Sequence, residues 1–302
     1  MIEFKEISLR DRNRIRKLLL AENSQTAEYT FGTLYCWAET YPVLVCEYEN
    51  RLLIKSAYSE NAFYYPVGFG ELRPAIDKIL ELSEKPQLYF LTEGQKQRLE
   101  TEYPSCFTFR EERNFAEYIY KVGKLSTYSG QSLHGKRNHC NQFAAAHKWR
   151  FVPLTQELIP VCSEMLEKWM VENIERLDKS IADEYVALKR AIDTYDVLEL
   201  DGGVLFADGC AAGFSLGEMV NQNTFVVHFE KAYPNMPGAY SMVCREMTRS
   251  MMEKYPALVY INREEDMGLD LLRYSKLSYH PEYLLKEYTA TWKEDDYGTT
   301  GI

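Results

Sequence analysis

Thr224-Phe225-Val226-Val227-His228-Phe229-Glu230-Lys231, followed by Ala232-Tyr233-Pro234-Asn235-Met236-Pro237-Gly238-Ala239-Tyr240, is the stretch that decides the architecture. A run of β-branched and aromatic residues reads as a strand to Lys231 and breaks at Tyr233-Pro234. Pro237-Gly238 then opens an unbroken helical pattern over Ala239 to Lys254. Upstream, Val197 to Leu200, Val204 to Ala207 and Ala211 to Glu218 read as strands. Asp201-Gly202-Gly203 and Asp208-Gly209 read as their hairpin turns, because glycine accepts the positive φ that such turns need. Two helices precede this meander, one capped by Thr155 and running to about Met170, the other near Asp183 to Tyr195. Downstream come a strand at Leu258 to Asn262, a helix at Leu269 to Lys276 and a strand at Tyr283 to Thr291. A meander, a long helix, a strand, a short helix and a closing strand predict an α+β (mixed α/β) chain. A doubly wound parallel sheet would alternate strand and helix throughout.

The first half repeats that order. Ile15, Leu18 and Leu19 share a helix face after Ser8, and Val43 to Tyr48 and Leu52 to Ile54 form a hairpin about Glu49-Asn50. A strand at Ala62 to Tyr65, a helix from Pro74 and a strand at Gln87 to Leu91 follow. A helix at Gln95 to Glu102 and strands at Cys106 to Phe109 and Phe115 to Val122 complete it. Tyr89 to Tyr120 matches Tyr260 to Ala290 at a shift of about 170, with Glu117-Tyr118 falling on Glu287-Tyr288. Identities are few, so element order carries the inference of an internal duplication. Lys124 to Gly130 has little hydrophobic signal and reads as the linker between residues 1–128 and 129–302. The tail after Trp292 is expected to fray.

Composition excludes more than it identifies. At 302 residues, 46% hydrophobic and 26% charged, the chain is a soluble globular one of about two domains. No stretch reaches the roughly 18 apolar residues of a membrane helix, and Met1 to Glu6 lacks a signal-peptide layout. A cytoplasmic location is therefore expected. The seven cysteines are scattered without a C-x-x-C pair, which argues against a disulfide framework and a zinc site; no metal is expected. The net charge of −10 makes the surface as a whole no polyanion trap, and no DNA partner is expected. Dinucleotide, P-loop, zinc-protease and nucleophile-elbow motifs do not occur.

Four clusters could carry chemistry. From Tyr118 to Gln156 there is no acid, while Lys121, Lys124, Lys136, Arg137, Lys148 and Arg150 are present with His134, His139 and His147. A helix start near Gly135-Lys136-Arg137-Asn138-His139 would add its dipole and suit a phosphate; the plainer reading is a solvated basic connector. In the second cluster, alternation puts His228 and Glu230 on one strand face. Glu230 in an apolar strand is either a tuned acid–base group or the partner of a nearby Arg263. Third, a strand runs into Asn262-Arg263-Glu264-Glu265-Asp266-Met267-Gly268 before a helix, where such layers place ligands; a solvated loop is the alternative. Fourth, Gly238-Ala239 could bring helix amides against a pyrophosphate, although Pro-Gly is also ordinary turn punctuation.

Taken with Phe143, Leu272-Arg273, Lys276-Leu277-Ser278-Tyr279 and Pro281, these clusters resemble the family of the C-terminal domain of phosphatidylglycerol lysyltransferase. The resemblance covers essentially the whole chain. It implies two tandem GNAT-like domains, each a mixed, mainly antiparallel sheet flanked by helices, with a groove in the second. It also implies aminoacyl transfer from charged tRNA to an amine or hydroxyl. Acetyl-CoA-dependent N-acetylation and a non-catalytic small-molecule or RNA-binding module are the alternatives. No tightly bound cofactor is expected, and the acceptor would be a small molecule, a peptide or a lipid headgroup. The resemblance does not include the transmembrane portion of the lipid-modifying enzyme, which weakens a lipid acceptor. The GNAT pyrophosphate pattern Q/R-x-x-G-x-G/A is degenerate: Asn235 replaces the first residue, Gly238 fits, and Tyr240 stands where Gly or Ala is expected. Acyl transfer needs an anion site, a base and an oxyanion donor. Lys136, Arg137, Asn138, His139, Gly238 and Ala239 are the expected donor-binding residues. Glu230 is the expected base, with Asn262 and Arg263 as polar or oxyanion groups. His228, Glu264, Asp266, Arg273, Lys276 and Tyr279 are expected to line the acceptor side.

Overall fold

The computed structural model describes residues 2–172 and 179–293, so the tail expected to fray lies outside the described residues. Strands β1 (Lys5–Glu6), β2 (Val43–Tyr48), β3 (Arg51–Ser56), β4 (Ala62–Tyr64), β5 (Val67–Gly68), β6 (Gln87–Leu91) and β7 (Phe107–Glu111) come from the first half. They are followed by β8 (Glu117–Lys121), β9 (Trp149–Pro153), β10 (Asp201–Ala207), β11 (Cys210–Met219), β12 (Thr224–Ala232), β13 (Tyr260–Asn262), β14 (Tyr283–Leu285) and β15 (Tyr288–Trp292). They form two sheets, ordered β1-β2-β3-β4-β6-β15-β7 with β5 against β3, and β14-β8-β13-β12-β11-β10-β9. Each sheet holds one parallel pair, β4 with β6 and β12 with β13, and is otherwise antiparallel. The tandem mixed-sheet architecture expected from the element order is present.

The two halves exchange a strand. β8 follows β7 in the chain yet pairs with β13 and β14 in the second sheet, and β15 follows β14 yet pairs with β6 and β7 in the first. Both expected domain segments, 1–128 and 129–302, therefore give a strand to the other sheet. The expected linker is also packed. Leu125 and Tyr128 are fully buried, and the Tyr128 hydroxyl donates to the Ser241 carbonyl at 2.9 Å.

Helices α1 (Arg12–Ala21), α2 (Phe31–Cys36), α3 (Leu72–Leu82) and α4 (Glu93–Glu102) belong to the first half. They are followed by α5 (Val122–Leu125), α6 (His134–Ala146), α7 (Ile159–Glu172), α8 (Lys179–Asp193), α9 (Tyr195–Leu198), α10 (Ala239–Lys254) and α11 (Asp270–Leu277). α4 starts at a capping box in which Thr92 and Gln95 satisfy each other's backbone amides. Met242, Val243 and Met247 of α10 pack with Phe143 of α6 on one face of the second sheet. Phe214, Leu216 and Phe229 on the other face join Leu166 of α7, Leu188 of α8 and the first-half residues Phe31 and Leu34. The core on this second face thus runs from the first half into the second, while α10 and α6 cover a separate core on the opposite face.

Three local expectations need correction. Val197 to Leu200 is not a strand: Tyr195–Leu198 is the helical turn α9, and Glu199 takes a left-handed φ of 53° after it. Asp201-Gly202-Gly203 is not a turn but the start of β10. Its glycines serve packing, since a Cβ on Gly203 would lie 2.2 Å from the Phe151 ring and one on Gly202 2.6 Å from the Ser215 carbonyl. Asp208-Gly209 is the hairpin turn expected, with both φ values positive. The third correction is a bulge: Phe229 pairs with Leu216 and Val227 with Gly217, so His228 has no partner on β11. Strict alternation therefore fails at His228. Phe225 and Val227 face α10, whereas Phe229 packs in the opposite core.

Candidate functional site

β12 and β13 run parallel for three register pairs, from Thr224–Tyr260 to Val226–Asn262, and then part. β12 continues to Ala232 while β13 gives way to the loop Arg263–Gly268. Side chains bridge the opening. Arg263 Nη2 donates to Glu230 Oε1 at 2.8 Å, and Arg263 Nη1 is buried with no hydrogen-bond partner among the described residues. The guanidinium lies 4.6 Å from the centroid of the Tyr279 ring, and Lys136 Nζ lies 3.7 Å from the same centroid. One buried aromatic ring thus holds two cations toward one carboxylate. Burial raises the Glu230 carboxyl above its ordinary range, and the charges of Arg263, Lys136 and Lys276 oppose that rise. Burial, aided by Arg263, lowers the Lys136 ammonium. Burial likewise lowers Lys276, whose Nζ donates to the Glu265 carbonyl.

The bulge turns His228 away from Glu230. Its Nδ1 lies 2.8 Å from Glu264 Oε1 and its Nε2 lies 3.2 Å from Glu218 Oε1. Burial works against its charge, but the hydrogen bonds and charges of the two carboxylates prevail and push its pKa up to about 10. Glu218 also accepts the Gly32 amide of α2 at 2.8 Å. Gly32 is required by that approach, because a Cβ there would sit 2.3 Å from Glu218 Oε1 and 3.2 Å from His228 Nε2. Gly32→Ala should therefore cost about 1–3 kcal/mol by overpacking, read as a lower urea midpoint. An unchanged midpoint would show that this junction yields freely.

Other expected site residues are committed to structure. Asn262 is fully buried; its Nδ2 donates to the Gln25 carbonyl at 2.7 Å and Glu117 Oε2 at 2.6 Å, and its Oδ1 accepts the Glu264 amide. Asp266 takes a two-pronged contact from Arg273 at 2.8 and 2.9 Å, with Tyr118, Arg113 and the Gly268 amide as further donors. Burial opposes the Asp266 charge, yet those donors hold its pKa well below the ordinary range. Arg137 Nη1 donates to the carbonyls of Tyr128 and Gly130. Asn138 and His139 are exposed, and the Asn138 side chain meets His134. Gly238, at a φ of 90°, lets α6 approach so closely that a Cβ would lie 2.4 Å from the His139 carbonyl. The buried Ala239 gives its amide to the Met236 carbonyl at 3.1 Å. Lys136, Glu230, Arg263, Lys276 and Tyr279 are brought together; Asp266, Arg273, Arg137, Asn138 and His139 lie outside that group.

A first-half segment completes the opening. Residues 24–32 are strapped to the second sheet by Asn221 Nδ2 to the Ser24 carbonyl, Gln25 Nε2 to Thr224 Oγ1, and the Ala27 amide to Glu117 Oε1 at 2.8 Å. Within it Ala27 and Tyr29 are buried, while Glu28 between them is partly exposed. Glu28 faces Glu265 and Glu264 and hydrogen-bonds Tyr64, and burial with those charges pushes its pKa up to about 8. The Glu117 and Glu287 carboxyls lie in the same region, both raised well above the ordinary range, chiefly by burial. Glu287 Oε1 is buried without a hydrogen-bond partner among the described residues. Sequence reading passed over Glu28, because a single acid in the short helical turn Ala27–Tyr29 has no periodicity to mark it.

Cavities of about 520 and 580 Å³ lie elsewhere, the larger beside the Tyr233 to Met236 turn with the exposed Cys210 on its wall. Among the described residues no helix is long and apolar enough to cross a membrane.

A family model described as phosphatidylglycerol lysyltransferase, C-terminal, matches residues 21–291. The chain is 30% identical over 179 residues to an uncharacterized protein of Mycoplasmoides gallisepticum; the match spans 57% of this chain and 54% of that relative's length. A conserved protein of unknown function from Bacteroides thetaiotaomicron has the same fold at a TM-score of 0.89 and 32% identity, covering 97% of this chain and all of that one. L-PGS from Bacillus licheniformis aligns at a TM-score of 0.60 and 14% identity over 87% of this chain and 91% of its own. FemX aligns at 0.62 and 7% identity over 97% and 98%. The last two likenesses establish a shared GNAT-like fold.

Proposed function

The chain belongs to the phosphatidylglycerol lysyltransferase C-terminal family, and on that premise we propose that it moves an aminoacyl group from charged tRNA to an amine or hydroxyl. The observation that carries this reading is the buried Arg263 Nη1, without a hydrogen-bond partner among the described residues, where β12 and β13 part. An acyl ester under attack gathers negative charge on its carbonyl oxygen, and a fixed donor in a dry site stabilises that charge without reorganising. Glu230 and Tyr279 fix the guanidinium from two sides, which makes Glu230 a positioning residue in this scheme. Lys136, held over the same ring, supplies a second cation for a donor phosphate.

The choice between an aminoacyl ester and acetyl-CoA turns on the start of α10. A pyrophosphate would need the Gly238-Ala239 amides, but the His139 carbonyl and Phe143 crowd Gly238, and the Ala239 amide already donates to Met236. That favours a donor that does not require the helix terminus. Thermal unfolding with a non-hydrolysable 3′-aminoacylamino analogue of the tRNA terminal adenosine, and separately with acetyl-CoA, tests the reading. A specific ligand at about 100 times its Kd stabilises by about 2.7 kcal/mol. Stabilisation by the aminoacyl analogue alone is expected; stabilisation by acetyl-CoA alone would replace this reading with N-acetylation.

A further inference from the structure

We propose that the Ser215 hydroxyl is a second hydrogen-bond donor to the acyl carbonyl oxygen, placed across Glu230 from Arg263. This rests on the aminoacyl-transfer reading and adds to it a residue from the middle of the second sheet. Three observations carry it.

The first is placement. Ser215 lies directly opposite Glu230 in the β11–β12 register and opposite Gly203 in the β10–β11 register. Directly opposed residues of antiparallel strands put their side chains on the same face, with Cβ atoms about 4.5–5.5 Å apart. That face is the one covered by α10 and α6. A Cβ on Gly213, two residues before Ser215, would lie 2.6 Å from Val243 Cγ2 of α10. One on Gly203 would strike the ring of Phe151, which packs against the same core. Ser215 and Arg263 therefore flank Glu230, one from β11 and the other from the end of β13, and Glu230 Oε1 accepts from Arg263 Nη2 at 2.8 Å.

The second is unmet hydrogen bonding. Ser215 is fully buried, and its Oγ, like Arg263 Nη1, has no hydrogen-bond partner among the described residues. A buried hydroxyl without a partner costs stability, and alanine would fill the same place without that cost. Two such atoms on either side of one carboxylate are explained by a polar ligand that both can reach.

The third is charge. Arg263 and Lys136 lie 4.6 and 3.7 Å from the Tyr279 ring centroid, and the carboxylate that Arg263 meets is Glu230. Two cations against one carboxylate leave an excess of positive charge, so the atom that completes the group is one that gathers negative charge. A hydroxyl can donate or accept, and toward such an atom it donates.

The step balances with Ser215 keeping its proton and forming no covalent bond to the acyl group. The acceptor nitrogen or oxygen bonds to the ester carbonyl carbon and gives its proton to water. The negative charge that builds on the carbonyl oxygen is shared between the Ser215 hydroxyl and the Arg263 N–H. The carbonyl re-forms, the bond from that carbon to the ribose oxygen breaks, and the ribose oxygen takes a proton from water. An ester or amide and uncharged tRNA leave, with no net oxidation.

The test follows transfer of radiolabelled amino acids from a mixed pool of aminoacyl-tRNAs, with phosphatidylglycerol vesicles as acceptor in one arm and a glycyl peptide amine in the other. Wild type, Ser215→Ala and Ser215→Cys are compared, each with its melting temperature. Ser215→Ala should lower kcat by about 10²-fold, the lower end for one oxyanion donor, with KM for charged tRNA little changed. Ser215→Cys, close in size and a weak donor, should fall between the two. The Ser215→Ala protein should melt no lower than wild type, because it no longer buries a hydroxyl without a partner. A Ser215→Ala variant with wild-type kcat, or one affected only in KM, overturns the assignment, leaves aminoacyl transfer standing and gives the hydroxyl to an ordered water. A loss of kcat that comes with a lower melting temperature and is equally large in Ser215→Cys overturns it too, as an effect of packing. A wild-type protein that transfers nothing in either arm overturns both readings. If Ser215→Ala does not fold, Ser215→Cys decides, and a wild-type kcat there refutes the proposal.

Discussion

Replacing Arg263 by Met should lower the transfer rate by about 10²- to 10³-fold, the loss typical of one oxyanion donor. The same change should also destabilise the fold by about 3–5 kcal/mol, because it leaves the buried Glu230 carboxylate without its partner. Those two effects come apart in the double variant Arg263→Met/Glu230→Gln. Removing both charges takes away the unpaired ion, so stability should return toward wild type. Turnover should not return, since the fixed guanidinium charge that faces the carbonyl oxygen is gone. Glu230→Gln alone keeps volume and an acceptor for Arg263 but removes basicity, so it should lose far less rate than Arg263→Met. A double variant with wild-type turnover would reduce the Arg263–Glu230 pair to a structural ion pair. A Glu230→Gln loss as large as that of Arg263→Met would return the base role to Glu230, the reading that sequence position alone favours.

That reversal shows what was legible in the chain and what was not. The mixed order around Gly238, the Asp208-Gly209 turn and the duplication were legible because each leaves a local or periodic trace. The shift that placed Glu117 on Glu287 has a structural counterpart. Glu117 opens one exchanged strand and Glu287 immediately precedes the other, and the Glu117 charge helps to raise the Glu287 carboxyl. The exchange itself was not legible, since pairing between β8 and β13, or β15 and β6, depends on segments far apart in sequence. Glycines misled in both directions. Gly202 and Gly203 look like a turn but clear space for Phe151 and Ser215, and Gly238 looks like a phosphate cradle but clears space for α6. Period-two reasoning failed at the His228 bulge, so His228 and Glu230 were assigned one face when they serve different partners. Asn262 and Asp266 look like exposed polar loop residues by type, yet both are fully buried and hydrogen-bonded. Glu28 could have been found only from the fold, because its neighbours come from both halves.

Crowded carboxyls and a doubly bonded histidine also dictate how stability should vary with pH. Glu28 is raised from an ordinary 4.5 to about 8, and Glu117 and Glu287 are raised well above 4.5, each chiefly by burial. His228 is raised from 6.5 to about 10 by Glu218 and Glu264 against the opposing effect of burial. In every case the folded chain holds a proton that the unfolded chain has released, so stability must fall as pH rises. The carboxyls begin to exact this above about 4.5. The His228 contribution is complete below 6.5 and is lost as pH climbs through about 10. Asp266 has the opposite sign: its depressed pKa stabilises the fold above 3.8, and that stabilisation is lost in acid. The melting temperature should therefore peak in mildly acidic solution and decline steadily from about pH 6 to 10. The underlying slope is about 1.4 kcal/mol per pH unit for each proton retained. Glu287→Gln is the sharpest probe, because the side chain is buried among other carboxyls and its Oε1 has no hydrogen-bond partner among the described residues. The variant should match wild type near pH 4.5, where the native carboxyl is protonated, and should melt higher than wild type at pH 8 to 9. A wild-type melting temperature that is flat from pH 6 to 10, or a Glu287→Gln variant that melts lower at pH 9, would mean that the central carboxyls are neutralised by something other than retained protons.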